Sequence, residues 1–294
     1  MTALAQVREA PGRWRSRAVT ALLVLPASAW YFLLLVIPLG ILLVFSLGER
    51  APAGGYAPGL TLENYLNLPR RQTAFVNTLW LAMAGTLACL VAGYPLAYYL
   101  ATRAGAKKTL LLVLVIVPFW TSSLIRTYAW LTIFGNTGIP NIVEALGLGR
   151  PVLLNTPIAV LTGIVYNYLP LMVFPLYVSL ERLDKRLIEA SKDLGAARLA
   201  TFRQVTVPLT LPGVVSGVIL VFIPVMGEFL IPALLGGGKV FFVGNALVDA
   251  FLQSRNWPFG SAMSIALILA VLVAVGLYLR VVARAALQRD VALV

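Results

Sequence analysis

The sequence predicts an all-α, polytopic membrane protein with six transmembrane helices. Three observations carry this prediction. Of 294 residues, 60% are apolar and only 12% are charged; the mean hydropathy is +0.90; and the apolar residues gather in six long runs. Soluble domains are about one quarter charged. A chain with half that proportion cannot cover a water-exposed surface, so a soluble globular protein is excluded.

Each apolar run is long enough to cross a bilayer as a helix. A hydrocarbon core of about 30 Å needs about 20 predominantly apolar residues in a helix. The runs are continuously apolar rather than alternating over about ten residues, which favours helices over barrel strands. The predicted spans are residues 19–47, 74–101, 109–134, 157–180, 211–235 and 261–282.

The first run has a second interpretation, as a cleaved signal peptide. Arg13, Arg15 and Arg17 precede it, and Ala27-Ser28-Ala29 resembles a cleavage site. Apolar sequence nevertheless continues to residue 47, so the uncleaved run is long enough to span. We therefore favour a spanning helix.

Basic residues gather on one side of the predicted spans. The N-terminus, the loop 103–108, the segment 181–203 and the C-terminus contain 16 of the 23 Lys and Arg residues, and the opposite loops contain six. The positive-inside rule predicts that both termini are cytoplasmic. The net charge of +12 then reflects topology and contact with membrane lipid, not nucleic acid. One transmembrane domain, 19–284, lies between short cytoplasmic tails, 1–18 and 285–294.

The residue types exclude several chemistries. Histidine is absent and Cys89 is the single cysteine. A Ser-His-Asp triad, a His-ligated zinc site and an intramolecular disulfide are therefore ruled out. We predict no catalytic residue, no metal and no cofactor, and we do not expect an enzyme.

A polar, patterned segment separates the fourth and fifth spans: ERLDKRLIEASKDLGAARLATFRQVTVPLTLPG, residues 181–213. Its apolar residues recur at helical spacing. Gly195 stands where a C-cap glycine ends a helix, and a second short helix is predicted over 196–204, ended by Pro208 and Pro212. The pattern indicates a two-helix hairpin on the cytoplasmic side. By pattern alone, a hairpin lying on lipid headgroups is an equal alternative.

The spacing within this segment resembles a known motif. Glu189-Ala190, then Gly195, then Val205-Thr206-Val207-Pro208 resemble the EAA loop of permease subunits in binding-protein-dependent ABC importers, which reads EAA, three residues, G, nine residues, I-x-L-P. Ser191 departs from it by replacing the second alanine. In that family the loop is a coupling helix that docks in a cleft of the cytoplasmic ATPase. The resemblance implies coupling roles within the loop 181–208 for Glu189, Ala190, Asp193, Leu194, Gly195 and Pro208.

Four other stretches resemble the spermidine/putrescine permease subunits of such importers. They are LTLENYLNL (60–68), VPFWTSSLIRTYAW (117–130), GEFLIPALLGG (227–237) and RNWPFGSA (255–262). The resemblance implies a type I, MetI-like permease fold in the bacterial inner membrane, importing polyamines by alternating access. It also implies three partners: a cytoplasmic ATPase dimer, a second homologous permease and a periplasmic substrate-binding protein. Another small organic solute, such as an opine or an aminophosphonate, is the alternative cargo.

The chain is not expected to bind ATP itself. The run GGGK, residues 236–239, resembles the end of a P-loop, but Ala233 stands where the first glycine is required and Val240 replaces Ser or Thr. Nucleotide hydrolysis is therefore expected from another polypeptide.

Two ionisable residues, Arg126 and Glu228, lie within predicted spans, each 17 residues from the cytoplasmic start of its span. A charge at the bilayer centre costs on the order of 2.5 to 3.5 kcal/mol, so each is a functional candidate. One interpretation is a structural ion pair between them. In the other, Glu228 faces the translocation path and binds a substrate ammonium, with nearby aromatic residues available for cation–π contact: Trp120, Tyr128, Tyr166 and Tyr168.

Two rival classes remain at this point. A secondary transporter usually shows inverted repeats and interior acidic relays, whereas this chain shows no repeat and one acidic residue within its spans. A membrane-embedded enzyme needs a cluster of catalytic groups at membrane depth, which this sequence lacks.

Overall fold

The computed structural model describes residues 13–291, with side chains for residue 20 and residues 22–284. This part of the chain is almost entirely helical. Its α-helices are α1 (Arg13–Tyr31), α2 (Ile37–Ser46), α3 (Glu63–Leu66), α4 (Gln72–Thr102), α5 (Lys108–Trp120), α6 (Ser123–Phe134), α7 (Ile139–Ala145), α8 (Pro157–Glu181), α9 (Lys185–Asp193), α10 (Arg198–Thr201), α11 (Val207–Leu209), α12 (Leu211–Met226), α13 (Leu230–Leu235), α14 (Val243–Val248) and α15 (Trp257–Val291).

Short 3-10 or π-helical turns join several of these helices: Phe32–Val36, Leu68–Arg71, Gly105–Lys107, Phe202–Thr206 and Asp249–Gln253. One antiparallel hairpin pairs β1 (Glu49–Arg50) with β2 (Tyr56–Ala57). It is fixed against the start of α15, because Arg50 Nη2 donates to the carbonyl of Ser254 at 2.7 Å.

The helical membrane fold is confirmed, with four to six spans. Four helices are long and apolar enough to cross a membrane, and two bent helix pairs raise the number to six. The four are Leu22–Ser46, Leu68–Thr102, Pro157–Glu181 and Trp257–Arg284. Helix α1 begins at Arg13 and α15 continues to Val291, so helix extends into both predicted tails. The remainder of those tails, 1–12 and 292–294, lies outside the described residues.

Two predicted spans are not continuous helices. The span predicted at 109–134 breaks at Thr121-Ser122, where the chain turns by 91°. Pro118 lies in the last turn of α5 and Thr121 is extended (φ −78°, ψ 153°); proline cannot donate the hydrogen bond that would continue the helix. The span predicted at 211–235 is interrupted between α12 and α13, shortly after Pro224. The second bent pair is Arg198–Leu209 with Leu211–Met226, which meet at 63°, so that span, counted with its bend, begins before residue 211.

The centre of the bundle is formed by α4, α8 and α12, while α2 packs on α15 at the periphery. Close approach of α12 to α8 depends on Gly213, where a Cβ would lie 2.5 Å from the Cβ of Ser179. Beside this core, α6 packs on both α8 and α13. The two broken spans therefore meet each other at their second halves, and this juxtaposition positions the interior charges.

Candidate functional site: a helical hairpin and a buried carboxylate

The first candidate site is the hairpin, residues 184–209, at one end of the bundle. Asp184 begins it as the N-cap of α9, accepting a hydrogen bond from the backbone N–H of Arg186 at 3.0 Å. Gly195 ends α9 with φ +82°. Its N–H donates to the carbonyl of Lys192 at 2.8 Å. This left-handed termination, predicted from the sequence, is the conformation that glycine adopts at least cost.

A hydroxyl pair holds the two arms of the hairpin together. Ser191 Oγ on α9 lies 3.0 Å from Oγ1 of Thr201 on α10, and Thr201 is buried. Ser191 is one of three positions that depart from the EAA motif; at the other two, Val205 and Val207 replace isoleucine and leucine. The serine therefore adds a hydrogen bond between the arms that alanine cannot make.

The hairpin is anchored to the transmembrane core through aromatic side chains. The ring of Phe202 packs edge-on against Tyr94 and Tyr98 of α4, with centroids 5.7 and 5.9 Å apart. The hydroxyl of Tyr94 lies 2.8 Å from Oγ1 of Thr210, at the start of α12. A displacement of the hairpin is thus passed directly to two central helices.

The outer surface of the hairpin is exposed. Glu189, Ala190, Asp193 and Gly195 are exposed, and so is Leu194, at 89% of its surface. Leu199 is 66% exposed. Apolar side chains that do not pack on their own chain are typical of a docking surface.

The second arm differs from the sequence prediction. A helix over 196–204 ended by Pro208 was expected, but helical structure begins at Arg198, passes through Pro208 and reaches Leu209. A π-helical turn, Phe202–Thr206, precedes Pro208, and proline is tolerated near the start of the following turn. Pro208 is half-buried and belongs to the hairpin's attachment rather than to its exposed surface.

The second candidate site is the Glu228 cluster, formed by Glu228, Tyr168 and Asn245 at the break between α12 and α13. Oε1 of Glu228 accepts hydrogen bonds from the backbone N–H groups of Phe229, Leu230 and Ile231 at 3.1, 2.8 and 3.3 Å. Tyr168 of α8 donates its hydroxyl to Oε2 at 2.5 Å. The carboxylate therefore caps α13 and joins it to α8.

Asn245 completes the cluster from α14. Its Nδ2 donates to the carbonyl of Phe229 at 2.7 Å, and its Oδ1 accepts from the N–H of Phe242 at 3.2 Å. The Asn245 side chain thus joins the start of α13 to the start of α14. Glu228 is half-buried, with exposed residues on either side of it, Gly227 and Phe229.

The predicted ion pair between Arg126 and Glu228 is not formed in this structure. Among the described residues the ion pairs are Arg71–Asp249, Lys108–Glu181 and Arg150–Glu144. Arg126 is 8% exposed, and its Cζ lies 5.6 Å from the ring centroid of Phe119. The physical reason is that backbone amides and Tyr168 already surround the Glu228 carboxylate.

The four aromatic candidates are placed differently from one another. Tyr168 binds Glu228, whereas Tyr166 packs edge-on against Trp130 with centroids 5.6 Å apart. Tyr128 is exposed and Trp120 is 80% exposed, and neither donates a hydrogen bond to the Glu228 carboxylate. Among the four, the structure brings only Tyr168 to Glu228.

Sequence reasoning missed Asn245, Phe119 and the Ser191–Thr201 pair. Asn245 gave no signal, because it lies outside the stretches that resemble the permease family. Phe119 lies within one of those stretches, 117–130, but nothing in the sequence indicated that its ring would contact Arg126. Ser191 did give a signal, as a departure from the family pattern.

A helical bundle with broken spans, interior charges and an exposed hairpin at one end is typical of a transmembrane transporter component. The model of the family described as "Binding-protein-dependent transport system inner membrane component" matches residues 3–291, and the chain belongs to that family. This bears out the resemblance found in the EAA loop. The chain is thus an inner-membrane component of a binding-protein-dependent transport system.

Individual relatives agree with this assignment. The chain is 42% identical over 257 residues to the spermidine/putrescine transport system permease protein PotB of Haemophilus influenzae, covering 86% of this chain and 90% of that protein. Identity to PotB of Escherichia coli is 43%, covering 81% of this chain and 88% of that protein. Identity to the inner membrane ABC transporter permease protein YdcU of Escherichia coli is 32%, covering 77% of this chain and 76% of that protein.

Solved structures share the fold. A chain of a bacterial ABC transporter involved in the import of the acidic polysaccharide alginate superposes with a TM-score of 0.71 at 18% identity, covering 92% of this chain and 96% of that chain. The same score and coverage hold, at 16% identity, for a bacterial alginate ABC transporter in complex with an alginate pentasaccharide-bound periplasmic protein.

Proposed function

We propose that this chain is one permease subunit of an ATP-driven polyamine importer that works by alternating access. Its partners are a second homologous permease, a cytoplasmic ATPase dimer and a periplasmic substrate-binding protein. Both termini and the hairpin lie on the cytoplasmic side, and the Glu228 cluster lies toward the periplasmic half of the membrane. The division of Lys and Arg residues supports this orientation.

The substrate class is inferred mainly from the position of Glu228. It is the only acidic residue within the six predicted spans, it is half-buried beside exposed residues, and its Oε2 is held by a phenol rather than by a cation. A carboxylate in such a place binds an ammonium group well, because the low-dielectric surroundings strengthen the attraction. The relatives named for spermidine and putrescine transport support the same class of cargo.

The exposed face of the hairpin supports the ATPase partner. Leu194 and Leu199 give it an apolar centre, surrounded by exposed charges of both signs, such as Glu189, Asp193 and Lys192. Since Phe202 and Thr210 join the hairpin to α4 and α12, movement of a docked ATPase reaches the spans. We assign ATP hydrolysis to that partner. The chain's own glycine run lacks the P-loop spacing.

The proposal is tested by uptake of labelled putrescine into proteoliposomes that contain the complete complex and the binding protein. Glu228→Gln should lower uptake about tenfold or more, because a hydrogen bond to a charged group contributes about 1.5 to 3 kcal/mol. The matched control is Glu144→Gln, at the exposed end of α7, where the carboxylate pairs with Arg150 at 3.5 Å. Wild-type uptake in Glu228→Gln, or equal losses in both variants, contradicts the assignment.

Topology is tested separately. Cysteines introduced at residues 3 and 292, with Cys89 replaced, should resist an impermeant thiol reagent in intact cells. Labelling of either terminus would refute a cytoplasmic location for both.

A further inference from the structure

Arg126 is a buried cation without a partner. It is 8% exposed, and neither its Nε nor its Nη1 makes a hydrogen bond. Its compensation in this structure is the ring of Phe119, 5.6 Å from Cζ. Burying an unpaired charge is unfavourable. Such a residue is therefore best explained by a second conformation in which it gains a partner.

The surroundings of Arg126 identify that partner. Tyr168, whose hydroxyl binds Glu228, belongs to α8, and α8 packs on α6. Moreover α6, which carries Arg126, packs on α13, the helix that Glu228 caps.

Both charged residues lie at breaks in spans. Arg126 is in the first turn after Thr121-Ser122, and Glu228 is within the break between α12 and α13. Discontinuous helices are the elements that commonly surround binding sites in transporters. A shift of α6 relative to α13, together with rotation of the long arginine side chain, would change the arginine's partner.

We propose that Arg126 is an internal substitute for the substrate ammonium. In the substrate-releasing conformation its guanidinium leaves Phe119 and pairs with the Glu228 carboxylate, displacing the transported cation. This inference rests on the proposed function, in which Glu228 binds that cation. Because Arg126 is tethered beside the carboxylate, its effective concentration is high. The competition weakens a site that would otherwise retain its substrate.

The first test needs no substrate. Melting temperatures of the complete complex in nanodiscs are compared, nucleotide-free and vanadate-trapped, for Arg126→Gln, Glu228→Gln and the double variant, with the exposed Arg150→Gln as control. In one nucleotide state, the change in melting temperature of the double variant should differ from the sum of the changes in the two single variants. In the other state the changes should add, and Arg126→Gln alone should raise the melting temperature. The proposal is overturned if the changes in melting temperature add in both states, or if they deviate from additivity by the same amount in both.

The second test uses labelled putrescine as the probe, with the complex in nanodiscs without binding protein. Arg126→Gln should tighten the apparent Kd about fivefold or more and slow dissociation, whereas Arg126→Lys should behave like wild type. Phe119→Leu, which removes the ring that holds the guanidinium away, should weaken binding. Unchanged binding in Arg126→Gln and Phe119→Leu contradicts the proposal. If wild type does not bind putrescine, the substrate class is wrong, and the melting experiment still decides whether Arg126 and Glu228 pair.

Discussion

The hairpin and the Glu228 cluster are built in opposite ways. The hairpin is held by contacts between near neighbours, such as Ser191 and Thr201, ten residues apart. The cluster joins residues that are distant in sequence: Tyr168 and Glu228 are 60 residues apart. The hairpin leaves its outer leucines exposed, whereas the cluster satisfies its carboxylate internally.

This contrast separates two tasks. A locally folded, exposed element has its shape before a partner arrives, so little free energy is lost in ordering it when it docks. A satisfied carboxylate in a broken span binds a new cation only by exchanging hydrogen bonds. The first arrangement suits transmission of force, and the second suits reversible binding.

The largest expected effect comes from breaking the hairpin at Gly195. Gly195→Val should abolish substrate-stimulated ATP hydrolysis, because a β-branched residue is strained at φ +82° by about 1 to 3 kcal/mol. No heavy atom lies within 4 Å of a Cβ at this position, so the cause would be conformation rather than a clash. Gly195→Asn, which tolerates this conformation, is the control and should retain more stimulation. Equal activity in the two variants would contradict the role of the turn.

A smaller effect, on stability rather than coupling, is expected at Glu228. Glu228→Ala removes the acceptor for the N–H groups that begin α13 and should destabilise the complex by about 0.5 to 2 kcal/mol. Glu228→Gln keeps a carbonyl oxygen for these groups and should melt closer to the wild-type temperature than Glu228→Ala does. Thermal melting of the purified complex measures both. A cluster without a capping role would give the same melting temperature for the two variants.

These two predictions have different origins. The turn at Gly195 could be read from sequence because a helix, its glycine and the following residues are contiguous. The capping role of Glu228 could not, since it depends on where α13 begins and on a phenol from α8. Pro118 and Pro224 signalled the broken spans, but apolar content alone made both runs look continuous. The ion pair between Arg126 and Glu228, one of two interpretations of these charges, is not formed in this structure, because equal depth does not fix which group a carboxylate faces.

The smallest expected effect is at Ser191. Ser191→Ala restores the residue of the EAA motif and removes the bond to Thr201. The buried Thr201 hydroxyl then loses a partner, at a cost of about 1 kcal/mol. We expect a modest fall in the ratio of putrescine uptake to ATP hydrolysed, with normal complex yield. The control is Ser216→Ala, which removes only a hydrogen bond to the carbonyl of Pro212 within α12. An equal fall in the control would contradict a coupling role for Ser191.

The central claim is that the two regions perform separable steps, binding at Glu228 and coupling at the hairpin. It is tested most directly by measuring ATP hydrolysis and labelled putrescine uptake in the same proteoliposomes for Glu228→Gln and Gly195→Val. The account predicts that Glu228→Gln loses uptake while binding-protein-stimulated hydrolysis persists, and that Gly195→Val loses both. Loss of both activities in Glu228→Gln at normal complex yield, or persistent stimulated hydrolysis in Gly195→Val, would contradict it.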